Sequence, residues 1–458
     1  MRFVAMVCLA TACTGGPDLD GRQQRIVNVL SEENYMWARR DPALLAMKLH
    51  KMQRGPYEWL RGTAGVFWRD TMEPRADRPT TTFGSPASSR VLLVGDPHPE
   101  NVGTFRSDDG TMFLDWNDFD SSGYGPFTGD LRRLGAGLAV ALVDPDTARM
   151  VVTRVVTSYA ATMAALAAGS DVGPVAHGHG ALFDDDLDKA LKHGDAREGV
   201  NEVAPVIDGT RVLAVGDLAP IPSDGVIEDR VSEVSDDEAA WIDAAVAQWQ
   251  AAHPSTGSIK LRARRIGSGV SSYAALRYNV ILEGETDATD DDRLLELKET
   301  RDGLVIAGQP RFAVAEWSSP GARAVDTQQR LQALDGDPLL GSALVGALSL
   351  KIKDREEYQH GINHEDLAAL VSNRQKDYED LGAIADAYGQ MLAHSHGTAL
   401  TQDGVAGWRV IEPLLSGRED AFVQELTALC LDDAAQTVDD QLRMASFDLA
   451  TLVVPESL

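Results

Sequence analysis

Between Val91 and Asp120 the chain alternates short apolar runs with dense clusters of oxygen-bearing side chains, and no other segment restricts the possible fold as strongly. Val91-Leu-Leu-Val94 and Met112-Phe-Leu114 are short and apolar, as strands are. Each leads into polar sequence: Gly95-Asp-Pro-His-Pro-Glu-Asn101 after the first, Asp115-Trp-Asn-Asp-Phe-Asp120 after the second. With Ser107-Asp-Asp-Gly110 as a turn between them, the two runs are expected to pair as a β-hairpin carrying polar groups at its ends.

Such an arrangement suits phosphoryl transfer. That chemistry requires a carboxylate to orient or deprotonate the acceptor hydroxyl, and hard oxygen ligands to hold Mg²⁺ against phosphate oxygens. Asp96 and Asn101 on one loop, with Asp115 at the end of the next strand, supply the set. Asp118 and Asp120 stay in contention with Asp115 for the metal. Any one of these residues is equally a turn former, so the reading rests on their combination.

A second constellation lies some 200 residues later in: Gly267-Ser268-Gly269 between two expected strands, and Lys298-Glu299 at the end of a third. A glycine turn lets backbone N–H groups approach phosphates, and a nearby Lys pairs with them. An ordinary hairpin with a surface Lys would read the same way if it stood alone. Glu316, Gln328 and Gln329 are the candidates for a helix-borne partner of Lys298.

The totals restrict partners. A chain of 458 residues exceeds one ordinary core and implies two or three packed lobes. Its net charge of −28, from 70 acidic against 42 basic residues, repels nucleic-acid backbones, so no nucleic-acid partner is expected. The three cysteines, Cys8, Cys13 and Cys430, build neither a disulfide framework nor a cysteine-rich zinc site. Residues 1–13 read as a short export signal resembling a lipoprotein lipobox, Ala10-Thr11-Ala12-Cys13. Membrane attachment is then through a lipid anchor at Cys13 alone, on a cell-envelope lipoprotein, with a cytoplasmic protein as the alternative. No other segment approaches the apolar length expected of a bilayer span. An exported protein would meet little ATP, which sets this address against a kinase-like site.

Along the chain, residues 22–168 are expected to form the catalytic-loop half of a helical lobe, 169–257 a loop-rich insertion or connection, 258–325 a β-rich nucleotide-binding lobe, and 326–458 a C-terminal helical part. The fold class is α+β. His177-Gly-His-Gly180 and the acidic runs Asp184 to Asp186 and Asp290 to Asp292 read as solvated loops, and His394 and His396 as packing residues.

The run Gly-Asp-x-His-x-x-Asn followed by Phe-x-Asp resembles the catalytic and metal-binding loops of aminoglycoside phosphotransferase and choline kinase-like proteins. The resemblance implies Asp96 as catalytic base, Asn101 and Asp115 as magnesium ligands, and Asp130 as a buried brace of the loop, with His98 in a structural role. More closely, the sequence is similar to the bacterial family called domain of unknown function 2252. That likeness is carried by Lys51-Met52 with Arg61-Gly62, Gly95 to Gly103, Asn117-Asp-Phe-Asp120, Gly125-Pro-Phe with Asp130-Leu-Arg-Arg-Leu134, and Gly267-Ser-Gly269 with Arg277-Tyr278. Kinases place the glycine loop and Lys ahead of the catalytic loop, and here the order is reversed. The expectation is therefore a circularly permuted kinase-like fold that binds ATP and Mg²⁺ and phosphorylates an unknown hydroxyl acceptor. A catalytically silent envelope binding module and a metal-dependent phosphohydrolase are the alternatives.

Overall fold

Asp20 accepts hydrogen bonds from the backbone of Arg22 and Gln23 and starts the helix Gly21–Arg40. Asp41 caps the next helix, Pro42–Met52, which has Pro at its first position, and two further helices, Pro56–Gly62 and Ala64–Met72, follow. The structure is a computed structural model that describes residues 18–73, 79–85, 89–196, 198–215, 226–227, 229–302, 316–355, 358–372 and 376–453. The lipobox reading, with Cys8 and Cys13, lies outside them.

The architecture is mixed α+β. Strands β1 (Arg90–Leu93), β2 (Val102–Arg106), β3 (Met112–Trp116) and β4 (Gly123–Pro126) form two ladders, β1 with β4 and β2 with β3. The expected hairpin between the Val91 and Met112 runs is thus replaced. The turn at Ser107–Gly110 joins β2 to β3, with Gly103 opposite Asp115, while the Val91 run pairs with residues 123–126. The Gly95–Asn101 loop redirects the chain, so β1 and β2, adjacent in sequence, are not partners.

The buried helix Phe127–Leu142 packs on Pro145–Ala167 and Glu419–Met444, and Lys376–Thr398 packs on Pro145–Ala167. Pro145–Ala167 is long and apolar enough to cross a membrane by length and composition. It buries Val151, Val152, Val155, Val156, Tyr159 and Met163 in the helical core. The segment expected to be loop-rich also holds the helices Ala181–Ala196 and Glu198–Val203 and the small ladder β5 (Val206–Ile207) with β6 (Thr210–Arg211). Its acidic residues are not all solvated: Asp186 is buried beside His360, and Asp292, in the later acidic run, is fully buried and holds Arg211 and Lys260 at 2.5 and 2.7 Å.

The second lobe is one antiparallel sheet built from β7 (Arg230–Ser232), β8 (Ile259–Ile266), β9 (Arg277–Leu282), β10 (Arg293–Glu299), β11 (Gly341–Val345) and β12 (Leu348–Asp354), in spatial order β11-β12-β10-β9-β8-β7. The last hairpin comes from a stretch expected to be helical, so the sheet extends past residue 325. The period-2 side-chain alternation of β10 explains its placement: Leu295 and Leu297 enter a core with Val280, Leu350 and Ile352, leaving Glu296 and Lys298 on the opposite face. Between β10 and β11 runs the helix Pro320–Leu331, started by Ser319 with Pro at its first position.

Asp115 ties the two ends of this fold together. Its carboxylate accepts from Trp116 N–H at 2.8 Å and from Ala333 N–H at 2.7 Å. Burial pushes its pKa up to about 7 against the lowering by these two hydrogen bonds. A raised carboxylate pKa costs stability that sets in above the ordinary carboxylate range and is complete above about pH 7. Asp115→Asn should therefore gain on wild type as pH rises from 4 to 7.5, by on the order of 2 kcal/mol in urea unfolding free energy, and a pH-independent difference would contradict this.

Candidate functional site

Gly95 begins the site. Its φ of +90° is open to glycine at little cost, and a Cβ there would lie 2.2 Å from Ser121 O, so the chain at Gly95 and the chain at Ser121 press directly together. Asp130, fully buried on the helix Phe127–Leu142, accepts from Val94 N–H at 2.8 Å and Gly95 N–H at 3.2 Å. His396 Nε2 lies 3.1 Å from the same carboxylate, and Tyr159 OH lies 2.9 Å from His396 Nδ1. Three residues along the same helix, Arg133 donates from Nε to Asp96 Oδ1 at 2.7 Å and orients that carboxylate.

Asn101 closes the loop onto its neighbour. Its amide donates to Asp96 O and Asp118 O, each at 3.0 Å, and its Oδ1 accepts from Asp118 N–H at 2.7 Å. The side chain acts as a clasp between the two polar segments. Lys298 then crosses from the sheet lobe. Its Nζ lies 2.8 Å from Asp118 Oδ2 and 2.6 Å from Asp120 Oδ2, with 180 residues between Lys298 and Asp118. Burial works against charge on both partners, but each ionises the other: the Asp118 carboxyl is held well below its usual range and the Lys298 ammonium is raised.

Asp96, Asn101, Asp118 and Lys298 line a cavity of about 310 Å³. Asp96, His98, Asn101 and Asp118 face it from the helical lobe, and Ser268, Gly269 and Lys298 from the sheet lobe. Gly267 has a φ of +88° and Gly269 of +77°, which makes the turn that Ser268 sits on, and Lys51 Nζ donates to Gly267 O at 3.5 Å. Asp115, expected to hold metal, is not at this cavity. It lies three residues before Asp118, and the Ala333 and Trp116 amides take its carboxylate instead. Glu316, expected as a partner of Lys298, pairs with Arg330 at 3.1 Å, and Gln328 accepts from Lys351 at 2.6 Å. The helix Pro320–Leu331 reaches the site through Arg323, which donates to Asp120 O at 2.9 Å and Ser122 O at 2.5 Å.

Several residues of the cavity had no site role assigned from the sequence, although Arg61 and Arg277 stand in its family-like motifs. Arg61, Arg265, Arg277, Lys351 and Lys353 all line the cavity. Leu348-Ser-Leu-Lys-Ile-Lys-Asp354 alternates with period 2, a strand signal that would have located both lysines. Glu100, ion-paired with Arg61 and 2.6 Å from His364, is held at about 2 against the burial that would raise it. Burial lowers His98 to about 4, so its imidazole is neutral, and its Nδ1 has no hydrogen-bond partner among the described residues.

Among the described residues no group of three or more His, Cys, Asp or Glu side chains is placed to hold a metal ion. A metal here would rest on Asp118 and Asp120, with water and phosphate completing its shell, as Mg²⁺ sites commonly do. Asp120 Oδ1 is consistent with that set, being buried and without a hydrogen-bond partner.

No curated protein and no solved structure matches the chain. The sequence profile of one family does match, over residues 40–443. On that match, which takes in both the Gly95–Asp120 block and the Lys298 strand, the chain belongs to the family described as "Uncharacterized protein conserved in bacteria (DUF2252)".

Proposed function

We propose that the cavity is a kinase-like phosphotransferase site in permuted order, moving a phosphoryl group from ATP to a hydroxyl acceptor. The observation that carries this reading is the meeting of Lys298 with Asp118 and Asp120 across 180 residues of sequence, in one cavity with Asp96. The order within the sheet lobe supports it: a glycine turn between β8 and β9, Lys on β10, then a helix, is the succession that kinases use over nucleotide phosphates.

Asp96, aligned by Arg133, orients the acceptor hydroxyl and takes its proton as the new O–P bond forms and the bridging P–O bond to the departing phosphate breaks. Lys298 and the backbone of Ser268 and Gly269 face the donor phosphates. Asp118 and Asp120 are the residues that would hold Mg²⁺, whose charge offsets that of the phosphate oxygens. Asp115 and Asn101 keep structural tasks in this assignment, the first at Ala333 and the second as the clasp.

Calorimetry with ATP and Mg²⁺ tests the site as a whole. Lys298→Ala and Asp118→Ala should each weaken binding at least tenfold while Asp115→Asn leaves it unchanged, and no heat from wild type at millimolar ligand would sink the reading. Turnover separates roles: Asp96→Asn should keep binding within about twofold and lower kcat by roughly 10²–10⁴. Phosphate release with no acceptor dependence would mark a hydrolase instead. Affinity should also depend on pH through Lys351, whose pKa burial lowers to about 8. A bound anion raises that pKa, so affinity is fully present below about pH 8 and declines above it, and Lys351→Arg should flatten the decline.

A further inference from the structure

A nucleotide donor asks two things of a pocket, charge for its phosphates and an apolar slot for its base. The charge is present in excess. Register across the sheet sets Arg277 of β9, Lys298 of β10 and Lys351 of β12 side by side in one row, and Glu296 beside Lys353 in the next. Like charges directly opposite in a sheet destabilise it. Lys298 is answered by Asp118 and Asp120, and Arg277 by Glu296 at 3.1 Å. Lys351 donates to a neutral amide, and among the described residues no carboxylate lies within ion-pair distance of it. Asp120 and Asp118 act on Lys351 only from beyond ion-pair distance, which leaves the row able to take an anion from outside the chain.

The slot is missing among the described residues. Among the described residues that line the cavity, Val270 supplies the one apolar side chain, and it is turned into the core with Leu30 and Met52. The strand face next to Lys298, where a base would lie against the sheet, carries Glu296 instead, closed over by Arg265 at 2.9 Å and Arg277 at 3.1 Å. Past it, Lys353 Nζ donates to Gln359 Oε1 at 3.0 Å, and Asn117 and Gln359 approach within 3.0 and 3.2 Å of where a Cβ on Gly103 would stand. A neighbouring cavity of about 480 Å³ shares Asn117, Lys353 and Gln359 and includes two aromatic rings. One face of each ring is already taken: the Arg106 guanidinium sits 4.6 Å over Tyr358, and Phe105 stacks on Phe113 at 5.7 Å.

We propose that this cavity recognises a compact polyphosphate through its phosphate oxygens alone, so that a nucleotide binds by its triphosphate with the base left in solvent. The proposal rests on the phosphate-handling reading above and narrows its donor class.

Calorimetry on the full chain with Mg²⁺ would compare tripolyphosphate, ATP and adenosine. Tripolyphosphate and ATP should bind within tenfold of each other, adenosine should give no heat to millimolar concentration, and Arg277→Ala or Lys351→Gln should weaken both phosphate ligands at least tenfold alike. Lys351→Gln keeps a hydrogen-bonding group next to Gln328, and a thermal melt matching wild type would separate lost binding from lost folding. ATP more than tenfold tighter than tripolyphosphate, or displaced by adenosine, would overturn the proposal and leave the phosphotransferase reading standing. Absence of binding by either phosphate ligand would overturn both.

Discussion

One buried carboxylate organises the helical lobe. Asp130 is fully removed from water, a position that a charge tolerates only when hydrogen bonds replace its hydration. Its partners are the Val94 and Gly95 amides, at the end of β1, and His396, on the long helix near the C-terminus. Those bonds fix the direction in which the chain leaves β1, and hence where Asp96 lies. The same helix then delivers Arg133 to Asp96, and Arg132 to Asp433 at 2.7 Å on the Glu419–Met444 helix. With the Trp68 indole N–H on Gly95 O and Arg323 on the Asp120–Ser122 backbone, the brace holds the tight passage of Gly95 against Ser121.

From that point charged contacts join the two lobes, beside the apolar cluster of Trp37 and Leu44 with Tyr273. Arg40 on the first helix grips Glu299 at the end of β10 at 2.6 and 2.7 Å, Arg323 holds the Asp120–Ser122 backbone, and Lys298 spans to Asp118 and Asp120. The chain as a whole is strongly acidic, yet the cavity gathers six cationic side chains, Arg61, Arg265, Arg277, Lys298, Lys351 and Lys353, against four carboxylates, Asp96, Glu100, Asp118 and Glu296. A cationic cavity under an anionic exterior suits a small anion that enters the cleft and repels a polyanionic macromolecule.

How much of this could be read in advance follows from the range of the forces involved. The loop chemistry of Gly95 to Asn101 was legible because a glycine and paired prolines leave a local signature, whereas the brace at Asp130 was implied by the resemblance to aminoglycoside phosphotransferase and choline kinase-like proteins. Which of Asp115 and Asp118 faces Lys298 was not legible. They stand three residues apart in the same polar run, and what decides between them is the Ala333 amide, which captures Asp115 from more than two hundred residues away in sequence. The hairpin of β11 and β12 was missed for a similar reason: its strand pattern is short, and its place in the sheet comes from pairing with β10. Asp186 and Asp292 looked like solvated acids because burial in a cluster leaves no mark on the residues beside them.

Composition, residue spacing and turn chemistry alone therefore determined the mixed α+β class, the acidic exterior, and the two segments that carry phosphate-compatible side chains. Only the tertiary structure decided that those segments meet, which aspartates face Lys298, and that Arg277, Lys298 and Lys351 stand side by side across the sheet. Local propensity acts over a few residues, whereas ion pairs and strand register join residues far apart in sequence and exist only once the chain has closed on itself.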